Sequence, residues 1–115
     1  MIIFVDIDET ICYNIDNPDK ARDYNLSVPN RENIQLINRL FDEGYQIIYW
    51  TARGSGTGID WRSTTEHQLK EWGVKYHELK LGKPVYDLFI CDKAISSLNM
   101  EENLKTFLRE RDINV

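Results

Sequence analysis

Met1-Ile2-Ile3-Phe4-Val5-Asp6-Ile7-Asp8-Glu9-Thr10-Ile11-Cys12 opens the chain, and its reading decides the fold. Met1 to Val5 are all apolar, with β-branched and aromatic types prominent. That predicts a strand buried on both faces, as at the centre of a parallel sheet. The run stops at two acids, Asp6 and Asp8, whose i, i+2 spacing turns both side chains the same way on an extended chain. Beyond the carboxyl ends of the strands of such a sheet is where ligands bind. Two like charges held together are unfavourable unless a divalent cation joins them or one takes up a proton. The bland reading, an acidic surface turn after a buried strand, needs neither, so the rest of the chain must decide.

A length of 115 residues predicts one domain, 1–115, with one core. Hydrophobic and charged contents of 42% and 29% are those of an ordinary soluble globular protein. A net charge of −5 argues against nucleic acid as a partner, since its binders carry basic patches. An anionic small substrate stays open if the acidic site recruits a metal. Cys12 and Cys91 are too few for a disulfide framework, so a reducing cytoplasm is the default and both are expected as buried free thiols. The short apolar opening run is neither a signal peptide nor a membrane span, so no membrane partner is expected. Composition leaves the oligomeric state open, a homo-oligomer included.

Residues 13–28 are polar, contain Asn17-Pro18, and predict a loop or small hairpin over the first strand's end. Pro29-Asn30 opens a helix capped by Asn30, with Ile34, Ile37 and Phe41 on one face and Gly44 at C′. Tyr45–Trp50 reads as a second buried strand ending at Thr51-Ala52-Arg53. The glycine-rich stretch 54–58 lacks the Lys-Ser/Thr ending of a Walker loop and reads as flexible backbone. Asp60 is the expected cap of a helix with Trp61, Thr65, Leu69 and Trp72 on one face and Gly73 as its stop. Val74–Glu78 is expected as a third strand, a loop holding Gly82-Lys83-Pro84 follows, and Asp87–Asp92 is expected as a fourth strand. A last helix near 100–111 turns Leu104, Phe107 and Leu108 to the core. Strands alternating with helices imply a mostly parallel sheet covered on both faces.

In such a sheet Asp6, Asp8, Thr51, Lys83 and Asp92 would meet at one edge, and their chemistries complement one another. One carboxylate can attack phosphorus, and a second acid can protonate the leaving oxygen and then activate water. A hydroxyl and an ammonium can hold the phosphoryl oxygens, and a metal offsets the remaining charge. Taken singly, Lys83 reads as a solvated loop lysine and Thr51 as a strand end. Arg53 either reaches a substrate phosphate or is merely exposed, and Asp87 reads as a strand start. His67 and His77 lack ligand-spaced partners and read as structural.

The ordered set resembles the haloacid dehalogenase (HAD) superfamily of aspartate-nucleophile phosphatases. Asp6-Ile7-Asp8-Glu9-Thr10 looks like its first motif, Tyr49-Trp50-Thr51-Ala52-Arg53 its second, Lys83 its third and Leu88-Phe89-Ile90-Cys91-Asp92 its fourth. The likeness runs from residue 1 to about 95. Trp50–Gly54, Leu81–Pro84 and Asp92–Ile95 look most like small capless members associated with capsule or surface-polysaccharide biosynthesis. The resemblance implies an α/β, three-layer Rossmann-like fold without a cap domain, and Mg²⁺-dependent hydrolysis of a small phosphorylated metabolite, sugar phosphates among the candidates. It makes Asp6 the nucleophile and a metal ligand, and Asp8 the general acid/base whose backbone carbonyl also meets Mg²⁺. Thr51, Lys83 and Arg53 fall to the substrate phosphate and Asp92 to the metal. One departure is Cys91, where related fourth motifs often carry a further acid; a thiol is a poor ligand for Mg²⁺. Two other classes remain: a receiver-like phospho-acceptor module, and a catalytically weakened HAD-like binding protein.

Overall fold

In the computed structural model, which describes residues 1–111, the chain divides into two units, Met1–Val85 and a second beginning at Tyr86. The first is built on a parallel sheet of three strands, β1 (Ile2–Val5), β4 (Gln46–Trp50) and β5 (Glu78–Lys80), in the order β1-β4-β5. Between β1 and β4 run β2 (Cys12–Tyr13), a 3₁₀ turn (Tyr24–Leu26), β3 (Val28–Pro29) and helix α1 (Arg31–Asp42). Helix α2 (Arg62–Glu71) connects β4 to β5. The result is α/β, consistent with a Rossmann-like fold, because each parallel pair needs a long crossover.

The central strand is β4, not β1. Ile47, Ile48 and Tyr49 are buried, whereas β1 lies at the edge of the sheet and only Val5 of it is buried. Ile2 and Phe4 are exposed, so the expectation of a first strand covered on both faces fails. The apolar run marks a strand, but it does not say how many neighbours that strand has. The register pairs Val5 with Tyr49, which carries Asp6 and Thr51 out together at the carboxyl end.

The predicted hairpin is present: Cys12 and Tyr13 pair antiparallel with Pro29 and Val28. Asn30 caps α1, its side chain accepting from the Asn33 amide at 3.2 Å. Ile34, Ile37 and Leu40 form the buried stripe of α1, with Phe41 at its margin. Gly44 closes the helix with φ of 98°, the left-handed conformation that favours glycine there. Helix α2 starts after Trp61 rather than at an Asp60 cap, although the Asp60 carboxylate accepts from the Arg62 amide at 3.0 Å.

The third strand comes later than Val74–Glu78. Val74 is spent on closing α2, its amide donating to Leu69 O, and the ladder begins only at His77, whose amide donates to Ile47 O at 2.9 Å. Asn38 on α1 braces this approach, donating to Gly73 O and accepting from the Lys75 amide.

In the second unit, Asp87–Asp92 is not a strand. The described part of that unit contains helix α3 (Met100–Glu110) and no strand, so the run has no ladder partner within it. An extended segment without one leaves its backbone groups to solvent. Helix α3 turns Met100 and Leu108 inward, with Leu104 and Phe107 half-buried. Among the described residues no helix is long and apolar enough to cross a membrane.

Candidate active site

The acids leave β1 through a tight turn. Ile7 is fully buried and its carbonyl accepts from the amides of Thr10 and Ile11, which anchors the backbone between Asp6 and Asp8. Glu9 takes a left-handed conformation, φ 59°, and its carboxylate accepts from the Asn14 amide and side chain.

Each acid has its own cation. The Asp6 carboxylate accepts from the Ile7 amide at 2.8 Å, and Lys83 Nζ lies 3.5 Å from its Oδ2. Its side chain is 41% exposed and that of Lys83 13%. Partial burial pushes the Asp6 carboxyl above its ordinary value; Lys83 and the Ile7 amide pull it down, and Asp8 adds a smaller upward push. Asp8 is met instead by Arg53, whose Nη2 and Nε lie 2.9 Å and 3.0 Å from its Oδ1 and Oδ2. The charge argument that called for a divalent ion is therefore answered in part within the chain, by two basic side chains.

Arg53 is not the exposed residue that was one of its two expected readings. Its side chain is fully buried. Besides Asp8 it donates to Thr65 Oγ1 at 3.1 Å, Gln68 Oε1 at 2.6 Å and Ser27 Oγ at 3.4 Å. The Tyr24 ring lies 4.6 Å from its Cζ. A buried arginine needs such a set, because an unpaired buried charge is strongly unfavourable. Thr65 and Gln68 are the residues missed. The signal was two polar residues, Thr65 and Gln68, beside Leu69 on the buried stripe of α2, where polar side chains ask for a partner.

Thr51 is also fully buried; its Oγ1 accepts from the Arg53 amide at 3.1 Å, and its carbonyl accepts from the Lys83 amide at 3.1 Å. That last bond ties the lysine loop to the end of β4. Behind it, Gly54 turns the chain with φ of 83°, and a Cβ there would stand 2.1 Å from Ile59 O. The glycine-rich stretch thus has a position where both the conformation and the space require glycine, in a defined turn.

Cys12 is buried beside Asp8, its Sγ 3.4 Å from Oδ1, and burial pushes its thiol up to about 12. Cys91 is exposed, contrary to expectation, and its sulfur accepts from the Lys93 amide at 3.3 Å. His77 is structural as expected, its Nδ1 accepting from the Ile47 amide and its ring stacked on Phe41. His67 is exposed beside Glu71. Asp92 belongs to the second unit, where it is exposed and its carbonyl accepts from Arg111.

Asp6, Asp8, Thr51, Arg53 and Lys83 thus belong to one unit, on segments that leave the same end of the sheet. Among the described residues no group of three or more His, Cys, Asp or Glu side chains is arranged to hold a metal. Mg²⁺ does not require one, since it is usually bound by one or two carboxylates with waters and substrate phosphate. The half-exposed Asp6 carboxylate suits that kind of coordination.

No protein-family model and no curated protein matches the sequence. Among solved structures, the chain is similar to a crystallographic structural-genomics target from Vibrio cholerae. The match has a TM-score of 0.73 and 22% identity, over 95% of this chain and 98% of the other. At that identity the likeness establishes a shared α/β fold.

Proposed function

We propose that this protein is a phosphomonoester hydrolase of the HAD type, acting on a small phosphorylated metabolite, with sugar phosphates the first class to test. The observation that carries the reading is the pairing at the end of β1: a half-exposed Asp6 facing Lys83, with Asp8 two residues on and held by Arg53. A nucleophile must be reachable, an acid/base must be held, and a phosphoryl group needs a cation beside the attacking oxygen.

In the first step a carboxylate oxygen of Asp6 attacks phosphorus and the bond from phosphorus to the leaving oxygen breaks. Protonated Asp8 gives its proton to that oxygen. In the second step water attacks the aspartyl-phosphate, the bond from phosphorus to Asp6 breaks, and Asp8 takes the water's proton. Lys83 stabilises the phosphoryl oxygens, and Thr51 fixes the strand end from which the lysine loop hangs. A Mg²⁺ ion would be held by the Asp6 carboxylate and the Asp8 main-chain carbonyl, and would supply charge neutralisation for the phosphoryl group. The receiver-type alternative asks for an acceptor acid at the end of the third strand of the sheet, and β5 runs out at Lys80 into Leu81 and Gly82.

The test is hydrolysis of an aryl phosphate with and without Mg²⁺, by wild type and Asp6→Asn. We expect metal-dependent turnover that the variant loses, with phosphate trapped on Asp6 in the wild type. Equal turnover by the two proteins removes Asp6 from the chemistry.

A further inference from the structure

The Arg53 guanidinium has five N–H donors in a rigid plane, and all of them are spoken for. Nε and one Nη2 hydrogen take Asp8, two on Nη1 take Thr65 and Gln68, and the last reaches Ser27. No donor is left for a ligand, and the plane cannot rotate without breaking several bonds at once.

The two oxygens of Asp8 are treated unequally. Oδ1 accepts from Arg53 Nη2 at 2.9 Å, from Asn14 Nδ2 at 2.9 Å and from Cys12 Sγ at 3.4 Å, with Arg53 Nε also near at 3.3 Å. Among the described residues Oδ2 receives one hydrogen bond, from Arg53 Nε at 3.0 Å. A carboxyl proton needs a lone pair, and Oδ1 has its lone pairs engaged by donors.

We propose that Arg53 is the positioning residue for Asp8, anchoring Oδ1 so that Oδ2 is the oxygen that exchanges the proton. This rests on the phosphatase reading above. The proton on Oδ2 goes to the leaving oxygen as its bond to phosphorus breaks, and Oδ2 regains a proton from the attacking water. Arg53 acts through Asp8: its Nε occupies one lone pair of Oδ2 and leaves the other for the proton, while its Nη2 holds Oδ1.

The test compares wild type with Arg53→Lys on a series of phosphate esters whose leaving groups range from nitrophenol to simple alcohols. An ammonium keeps the charge but cannot make the bidentate grip. We expect KM to stay within about threefold while phosphoryl transfer to Asp6 slows with leaving-group basicity. Part of the roughly 10²–10⁴-fold contribution of general acid–base catalysis should be lost on alcohols and little on nitrophenol. Nitrophenol should still appear in a burst, followed by slow hydrolysis of trapped aspartyl-phosphate. Thr65→Val, which removes one support of Arg53 without touching Asp8, should shift leaving-group dependence the same way by less, and it serves if Arg53→Lys does not fold. An active wild type with unchanged leaving-group dependence in the folded variants overturns the assignment of Arg53 alone. A uniform loss with raised KM overturns it in favour of phosphate binding. A wild type inactive on every ester, with Mg²⁺ present, overturns the phosphatase reading and this role together.

Discussion

Lys83 Nζ stands 3.5 Å from Asp6 Oδ2, although one residue follows the first strand of the sheet and the other lies beyond the last. The contact depends on two backbone devices. The parallel register of β1 with β4 brings Asp6 out beside the end of β4, and the Lys83 amide is bonded to the Thr51 carbonyl at that same end. A partly exposed ion pair of this kind is worth about 0–1 kcal/mol to stability.

Replacing Lys83 with Met should therefore separate the two contributions. Thermal or urea unfolding should change by less than about 1 kcal/mol, while kcat/KM on an aryl phosphate falls by roughly 10²–10³, the usual cost of removing one charge-stabilising donor. The pH profile should move as well. Lys83 draws the Asp6 carboxyl down against the upward push of burial. Without it the carboxyl rises further, Asp6 is protonated over more of the acidic range, and the acid limb of activity shifts to higher pH. An unshifted limb with full activity removes Lys83 from the site.

Gly54→Ala should destabilise the first unit sharply. The position combines φ of 83° with a Cβ that would lie 2.1 Å from a backbone oxygen, so both the conformation and the space are wrong. The backbone term alone is about 1 kcal/mol, and displacement of Ile59 adds to it. Gly58→Ala, at φ of 78° with nothing within 4 Å of its Cβ, carries only the first term. Urea midpoints of the two variants should rank in that order.

The cysteines should differ in reactivity. Thiolate is the reacting form, and Cys12 is buried with its thiol pushed up to about 12, largely by desolvation. Iodoacetamide near neutral pH should modify Cys91 and spare Cys12 until the chain unfolds, which peptide mass spectrometry reads directly. The same shift has a sign for stability. The native thiol holds its proton above the ordinary thiol range, so stability falls as pH rises from about 9 toward about 12. Cys12→Ala should flatten that alkaline decline.

The strand–acid boundary at Val5-Asp6, the capped helix from Asn30 and the strand through Trp50 were legible because each carries a local cause: a run of apolar residues, an N-cap, a break in period. The order of strands was not. Whether β1 is central or at an edge depends on what pairs with it, and Met1–Val5 reads the same in both cases. The register of β5 was hidden because Val74 and Tyr76, which read as strand residues, are used to close α2 and to pack against Tyr49. Asp87–Asp92 has the strand composition without a ladder partner in its own unit, and composition alone cannot supply one. The burial of Arg53 was not legible, since burial of a charge is decided by partners as distant as Ser27 and Gln68.

The grip on that arginine also changes how the loop between β2 and β3 should move. Residues 14–27 are polar and largely exposed, the composition of a segment that opens freely. Yet Ser27 and the Tyr24 ring complete the surroundings of Arg53, and the Tyr24 carbonyl accepts from Gln68 at 2.6 Å. Lifting the loop strips contacts from a buried cation and from Gln68 in the same motion. Local opening there carries an electrostatic penalty that loops of this composition rarely have. The Ser27 amide should accordingly exchange its hydrogen more slowly than its place in a surface loop implies, and the loop and the Asp8 clamp should open as one unit.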